Sequence, residues 1–313
     1  MRRPDLAGQA PLATLLALGV VTSVFAPRFL SPANLTNLLV QGSIMAVIAM
    51  GMTFVIVGGG FDLSVGSVVA LSGCVAAAVM LRASIPLGVV AGVAAGALVG
   101  LVNGLTIAGL RVNPFITTLG TMVLVRGVVF LMTGGAPVAG TFGLPDAFVA
   151  FGSGRLLGVH DLVWVPALLL AALSWVLHAT PYGKSVFATG GNREAAYFSG
   201  ISTARIVAST YVWGGALAGV GGVMLAARLQ SGQPTAGEFY ELTAIAAVVL
   251  GGAGLQGGEG TLYKSVIGVF IMVVLGNALN LMAVDSYWQR VAVGAVIIAA
   301  AAADRLKQRG GES

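Results

Sequence analysis

Asp62 is a carboxylate set among apolar residues, in Gly58-Gly59-Gly60-Phe61-Asp62-Leu63-Ser64-Val65-Gly66-Ser67. A charge facing lipid near a helix centre costs roughly 2.5–3.5 kcal/mol, so a carboxylate there must serve a polar path or a structural bond. Successive glycines are poor helix formers, and irregular backbone at membrane depth survives only inside protein or beside water. The segment reads as a helix break near a translocation path or its cytoplasmic gate, with Gly59, Gly60, Asp62, Ser64 and Gly66 as candidate residues. A tight turn, with Asp62 or Ser64 capping the next helix, is the plainer reading. The two are compatible.

The most polar internal stretch runs from Thr180 to Thr203. Asn192 is placed to cap a short helix beginning at Arg193, Glu194 suits its first turn, and Gly200 suits its end. A short amphipathic helix between two apolar runs makes a docking knob, and a plain solvated loop is the alternative. A third stretch, Gly251–Gly260, contains Gly252-x-Gly254-x-x-Gly257, the spacing of a dinucleotide fingerprint. That fingerprint has meaning only between a strand and a helix. Apolar helical runs flank it here, so it reads as a Gly-rich turn.

Other chemistry finds no support. His160 and His178 lie at opposite ends of one apolar run, without partners at metal-ligand spacing. The single cysteine, Cys74, excludes an internal disulfide framework and reads as a small buried apolar residue. No G-x-x-x-x-G-K-[ST] phosphate loop occurs, so ATP hydrolysis is not expected of this chain. Few charges lie within the apolar runs, which argues against a proton-coupled carrier.

The elements that must position these residues follow from composition. The 313 residues are 57% hydrophobic and 9% charged, with a mean hydropathy of +0.96. A soluble domain carries about 25% charged residues. The 46 glycines suit close helix contacts in lipid. The net charge of +5 comes from scattered basic residues, which read as topology determinants and not as a nucleic-acid patch. A helix needs roughly 20 apolar residues to cross the bilayer. About ten stretches qualify. They are 11–26, 34–57, 63–81, 85–110, 114–132, 162–179, 204–229, 241–255 (short for a crossing), 262–279 and 288–303. A Gly-rich connection, 133–161, follows the fifth, and a polar tail ends the chain. Arg2 and Arg3 before the first stretch imitate a signal peptide, but the stretch reads as a retained helix.

The expected fold class is therefore all-α: one polytopic membrane bundle over 1–313, with 180–203 as a cytoplasmic segment within it. The second to fifth and seventh to tenth spans have opposite insertion, the plan of an inverted repeat, although no residue-level self-similarity supports it. Placing both termini in the cytoplasm puts ten Lys/Arg inside and five outside. Arg126 falls within a span and counts for neither side.

At these segments the chain resembles the ribose-type sugar permeases of bacterial ABC importers, in the wider family that includes branched-chain amino acid permeases. The resemblance covers nearly the whole chain. It rests on Ala49-Met50-Gly51-Met52-Thr53 running into Gly59–Ser67, on Asn113-Pro114-Phe115-Ile116-Thr117-Thr118-Leu119-Gly120-Thr121, on Thr180–Ile201 and on Gly251–Gly260. Asp62–Ser67 and Asn192-x-Glu194-Ala195-Ala196 favour the sugar branch. Phe61 departs from the aliphatic residue expected.

The resemblance implies a multi-pass subunit of the bacterial inner membrane that moves a monosaccharide (ribose-, xylose- or galactose-like) and is not itself an enzyme. It implies three kinds of partner: cytoplasmic ATPase subunits that hold ATP and Mg, a periplasmic sugar-binding protein, and a second permease copy in a homodimer or heterodimer. No cofactor is expected on this chain. Gly183, Asn192, Glu194, Ala195, Ala196, Ser199 and Gly200 would couple to the ATPase. Asn113, Pro114 and Phe115 would join the Gly59–Gly66 residues at the path or gate. A permease for a branched-chain amino acid and an ATP-independent secondary carrier are the alternatives, and an intramembrane enzyme finds no constellation to support it.

Overall fold

The computed structural model describes residues 9–141 and 143–311. Arg2 and Arg3, part of the orientation argument, lie outside them. The helices in chain order are α1 (Ala10–Phe25), α2 (Pro32–Val57), α3 (Val65–Met80), α4 (Ile85–Gly109), α5 (Pro114–Thr133), α6 (Asp146–Ser153), α7 (Asp161–Ala179), α8 (Pro181–Gly191), α9 (Arg193–Phe198), α10 (Thr203–Leu229), α11 (Tyr240–Leu250), α12 (Leu262–Leu281) and α13 (Ser286–Gly311). Among the described residues the only sheet is a two-residue antiparallel pair, β1 (Arg155–Leu156) and β2 (Val159–His160). The bundle is thus all-α in substance.

Among the described residues six helices are long and apolar enough to cross a membrane: α2, α4, α5, α7, α10 and α12. About ten stretches are expected from the sequence, with 241–255 short for a crossing. Helices α1, α3 and α11 and the apolar part of α13 are shorter. The reason is visible at α3 and α11, which each follow an irregular, glycine-bearing segment that takes the place of helical turns. Residues 58–64 precede α3. Residues 230–239 precede α11 and run back along α3: Gly232 lies against Cys74, and Gly237 against Gly66. The backbones of Val138 and Gly232 exchange hydrogen bonds of 2.8 and 2.9 Å, which pins this segment to the 133–145 connection. That connection, read as a Gly-rich link, also contains α6.

The core forms around α2 and α10. The central window of α2 is 94% buried, whereas those of α4, α5 and α7 are 17–22% buried and expose broad apolar faces. A helix apolar on all sides belongs in the interior, and an outward apolar face is stable only against lipid or another apolar surface. Close approach comes from small residues. Gly88, Gly92, Gly96, Gly100 and Gly104 form one stripe at i, i+4 spacing down α4. A Cβ at Gly96 or Gly100 would overlap the carbonyl oxygen of Gly215 or Tyr211 on α10. The stripe lets α4 lie backbone to backbone on its neighbours, with packing contacts replacing the hydrophobic drive that lipid removes. Polar ties add to it. Asn34 on α2 and Asn277 on α12 exchange amide hydrogen bonds of 3.0 and 2.7 Å.

Candidate coupling and gate region

The α2–α3 break is built by its own glycines. Gly59 adopts φ +84°, which an L side chain resists, and its N–H closes the end of α2 on the Ile56 carbonyl at 2.9 Å. The chain then runs extended through Phe61, whose carbonyl accepts from Tyr211 Oη on α10 at 3.0 Å. Gly60 leaves space for that phenol, since a Cβ there would meet the hydroxyl.

Asp62 is 1% exposed and does not face lipid. Its Oδ1 accepts from the Ser64 amide at 2.8 Å and from Ser64 Oγ at 2.6 Å. Ser64 Oγ accepts from Asn103 Nδ2 on α4 at 3.0 Å, and Asn103 Oδ1 accepts from Thr121 Oγ1 on α5 at 2.7 Å. Every donor in this chain points toward the carboxylate, so each bond is polarised in the same sense. Asp62 holds the start of α3, while Ser64, the residue before the helix, makes no capping bond to it. Sequence reasoning found Asp62 and Ser64 but missed Asn103, Thr121 and Tyr211. A lone Asn in the Gly stripe of α4 was the signal available for Asn103.

The three segments singled out in the sequence converge here. Gly190, near the end of α8, packs so closely on the end of α2 that a Cβ would overlap the Val57 carbonyl oxygen. The same oxygen accepts from the Gly258 amide at 2.9 Å. A Cβ on Gly257 would stand 2.8 Å from the Gly59 Cα and 2.9 Å from the Gly190 carbonyl oxygen. Both Gly257 and Gly258 have positive φ. The Gly251–Gly260 turn, the α2–α3 break and the end of α8 therefore meet through main chain alone. Such a contact transmits displacement without a side chain that can swing aside.

The Thr180–Thr203 segment holds two helices, not the single one expected. Thr180 caps α8, its Oγ1 accepting from the Gly183 amide at 3.3 Å. Gly183 is buried against the Leu177 carbonyl, where α7 ends. Tyr182 Oη shares a 2.8 Å hydrogen bond with Ser209 on α10, and burial pushes its phenol pKa above the usual range. Asn192 Oδ1 accepts from the Ala195 amide at 2.9 Å and starts α9, with Glu194 in the first turn. Gly200 turns the chain out at φ +85°. Of the expected coupling residues, Asn192, Glu194, Ala195, Ser199 and Gly200 are exposed, and Ala196 and Gly183 are buried.

Asn113 caps α5, accepting from the Phe115 amide at 2.8 Å. Asn113 and Pro114 line a cavity of about 570 Å³ with Arg193, Glu194 and Tyr197. They stand beside the α9 knob, and Pro114 also lines a smaller cavity of about 130 Å³ with Gly59, Gly60 and Tyr211 at the α2–α3 break. Phe115 is 55% exposed and faces outward. Gly66 lies elsewhere again, at the start of α3 against Gly237. Of the expected gate residues, Gly59, Gly60 and Pro114 thus share one cavity, while Phe115 and Gly66 stand apart from it. Among the described residues no group of three or more His, Cys, Asp or Glu is placed to hold a metal ion.

Comparison with known proteins places the chain in a family. The chain is 44% identical over 302 residues to the ribose import permease protein RbsC of Bacillus subtilis, covering 95% of this chain and 92% of that protein. It is 37% identical to the L-arabinose transport system permease protein AraH of Escherichia coli, covering 95% and 90%. It is 40% identical to the galactose/methyl galactoside import permease protein MglC of Salmonella typhimurium, covering 94% and 92%. No solved structure matches the chain significantly. The family model for branched-chain amino acid transport system permease components matches residues 34–301, and the chain belongs to that family, as a translocation component and not an enzyme.

Proposed function

We propose that this chain is the membrane-spanning permease of an ATP-driven importer for a monosaccharide in the bacterial inner membrane. The observation that carries the sugar reading is the 44% identity, over nearly the full length of both chains, to a ribose import permease. The junction of Gly190, Val57, Gly257 and Gly258 carries the coupling reading. A segment displaced by an ATPase would move the α2–α3 break directly. In this reading Glu194, Ala195, Ser199 and Gly200 present the exposed knob to the ATPase, Asn192 shapes it, and Ala196 and Gly183 anchor it. Gly59, Gly60, Asp62 and Ser64 form the break at the gate. Asn113, Pro114 and Phe115 flank the knob, and Gly66 lies deeper on the path.

The partners in this reading are a cytoplasmic ATPase that binds ATP and Mg, a periplasmic sugar-binding protein and a second permease copy, identical or sister. Both termini are cytoplasmic. The short helices complete ten crossings, because 58–64 and 230–239 extend α3 and α11 through the bilayer. The packing supports an inverted repeat of α2–α5 and α10–α13. Helix α3 packs on α4 and α5 as α11 packs on α12 and α13, and α10 packs on α3 and α4 as α2 packs on α11 and α12. The direct test is reconstitution in liposomes with the cognate ATPase and binding protein. Uptake of a monosaccharide that requires ATP is expected. Uptake driven by an ion gradient without ATP, or of leucine and no sugar, would overturn the reading.

A further inference from the structure

The two helix starts set inside the bundle, α3 and α11, meet at Gly66 and Gly237, and a cavity of about 290 Å³ opens beside them on α5. Ser67, Val123, Arg126, Glu238, Phe239 and Glu241 line it. Arg126 is half-buried, and its Nη1 donates to the carbonyls of Pro234 and Ala236 at 2.6 and 2.9 Å. Among the described residues its remaining N–H groups have no acceptor, and it forms no ion pair with Glu238 or Glu241. A guanidinium offers five N–H donors, so most of its capacity is unused. Opposite charges that share a cavity wall without touching leave room for a polar guest between them. An ionisable residue in a membrane helix marks a solute path when it borders a cavity and not lipid.

We propose that this cavity is a transit site for the permeant monosaccharide. Arg126 and Glu238 hydrogen-bond its hydroxyls from opposite sides, and the Phe239 ring takes an apolar face. The volume is at the small end for ligand pockets, which suits a single sugar ring. Donors, acceptors and one ring also suit brief residence, because a transport site must release what it binds. Phe239 is 47% exposed, and the Arg290 guanidinium lies 5.1 Å from its ring centroid. The site lies about midway along α10, since Asp62 lies beside Gly214 and Val69 against Gly222.

The proposal rests on the sugar-permease reading, and the experiment separates the two. Val123→Cys, in a Cys74→Ala background, is assembled with its ATPase and binding-protein partners and treated with a water-soluble thiol reagent. Val123 is 65% exposed and lines the cavity. Millimolar ribose or galactose is expected to slow labelling at least threefold, and leucine to have no effect. Adding Glu238→Gln is expected to abolish that protection. Glu238 is exposed, and co-purification of the variant with its ATPase, read by size-exclusion chromatography, reports its folding and assembly independently of sugar. A labelling rate indifferent to sugar in a complex that imports sugar would overturn the site alone. Protection that survives both Glu238→Gln and Arg126→Gln would overturn the assigned contacts, and protection by leucine instead of sugar would overturn both readings.

Discussion

At the scale of single residues, Asp62 is the most informative. A carboxylate among apolar residues suggested a polar path, and the structure shows it ending a run of hydrogen bonds from Thr121 through Asn103 and Ser64. Its two bonds are both accepted from Ser64, so an amide oxygen can replace the carboxylate oxygen. Asp62→Asn is therefore expected to keep the fold within about 1 kcal/mol, while Asp62→Ala costs about 1–3 kcal/mol, by leaving the buried Ser64 donors unpaired. Thermal unfolding of the purified protein in detergent checks this. Equal losses in both variants would show that charge, and not acceptance, holds the break. Asp62 could be singled out from sequence because an isolated charge in an apolar run is conspicuous. Asn103 and Thr121 could not, because their role depends on α4 and α5 both passing the break, which only packing decides.

At the scale of elements, glycine decides which backbones touch. The Thr180–Thr203 segment was identifiable by polarity, and the start of α9 by Asn192 and Glu194. Helix α8 was missed because Gly183, Gly190 and Gly191 argue against a helix locally, and the contacts of α8 with α2, α7 and α10 override that propensity. Two adjacent glycines now separate a fold effect from a junction effect. A Cβ at Gly190 would overlap the Val57 carbonyl, whereas the nearest atom to a Cβ at Gly191 is 3.8 Å away. Gly190→Ala is expected to cut ATP-dependent uptake at least tenfold with insertion retained, and Gly191→Ala to leave uptake within about twofold. Uptake and membrane abundance, measured together, check both. Normal uptake by Gly190→Ala would remove the junction from the coupling path.

At the scale of the whole molecule, orientation in the bilayer rests on Lys/Arg counts and is testable with the lone cysteine silent, since Cys74 is buried. Leu157, in the turn between β1 and β2, is 85% exposed, and Tyr197 on α9 is 65% exposed. They lie at opposite ends of α7. With cytoplasmic termini, Leu157→Cys is expected to react with an impermeant thiol reagent on intact spheroplasts, and Tyr197→Cys only on inverted vesicles. The reverse pattern would turn the chain over.

The amino-acid sequence by itself determined the membrane setting, the order and rough bounds of the apolar helices and the family. The first two follow from local composition and spacing, and the family from the resemblance of its ordered motifs, all of which a chain carries whether folded or not. The tertiary structure alone decided that α3 is a short helix and that irregular segments at bundle depth precede both α3 and α11. It also decided that three Gly-rich segments meet at one main-chain junction, and that Asp62 serves a buried bond network and Arg126 a cavity. These depend on which backbones approach within van der Waals distance across long sequence separations, and hydropathy has no term for that. The break first read from Asp62 remains a break, and its proposed link to the coupling knob runs through glycines whose value lies in having no side chain.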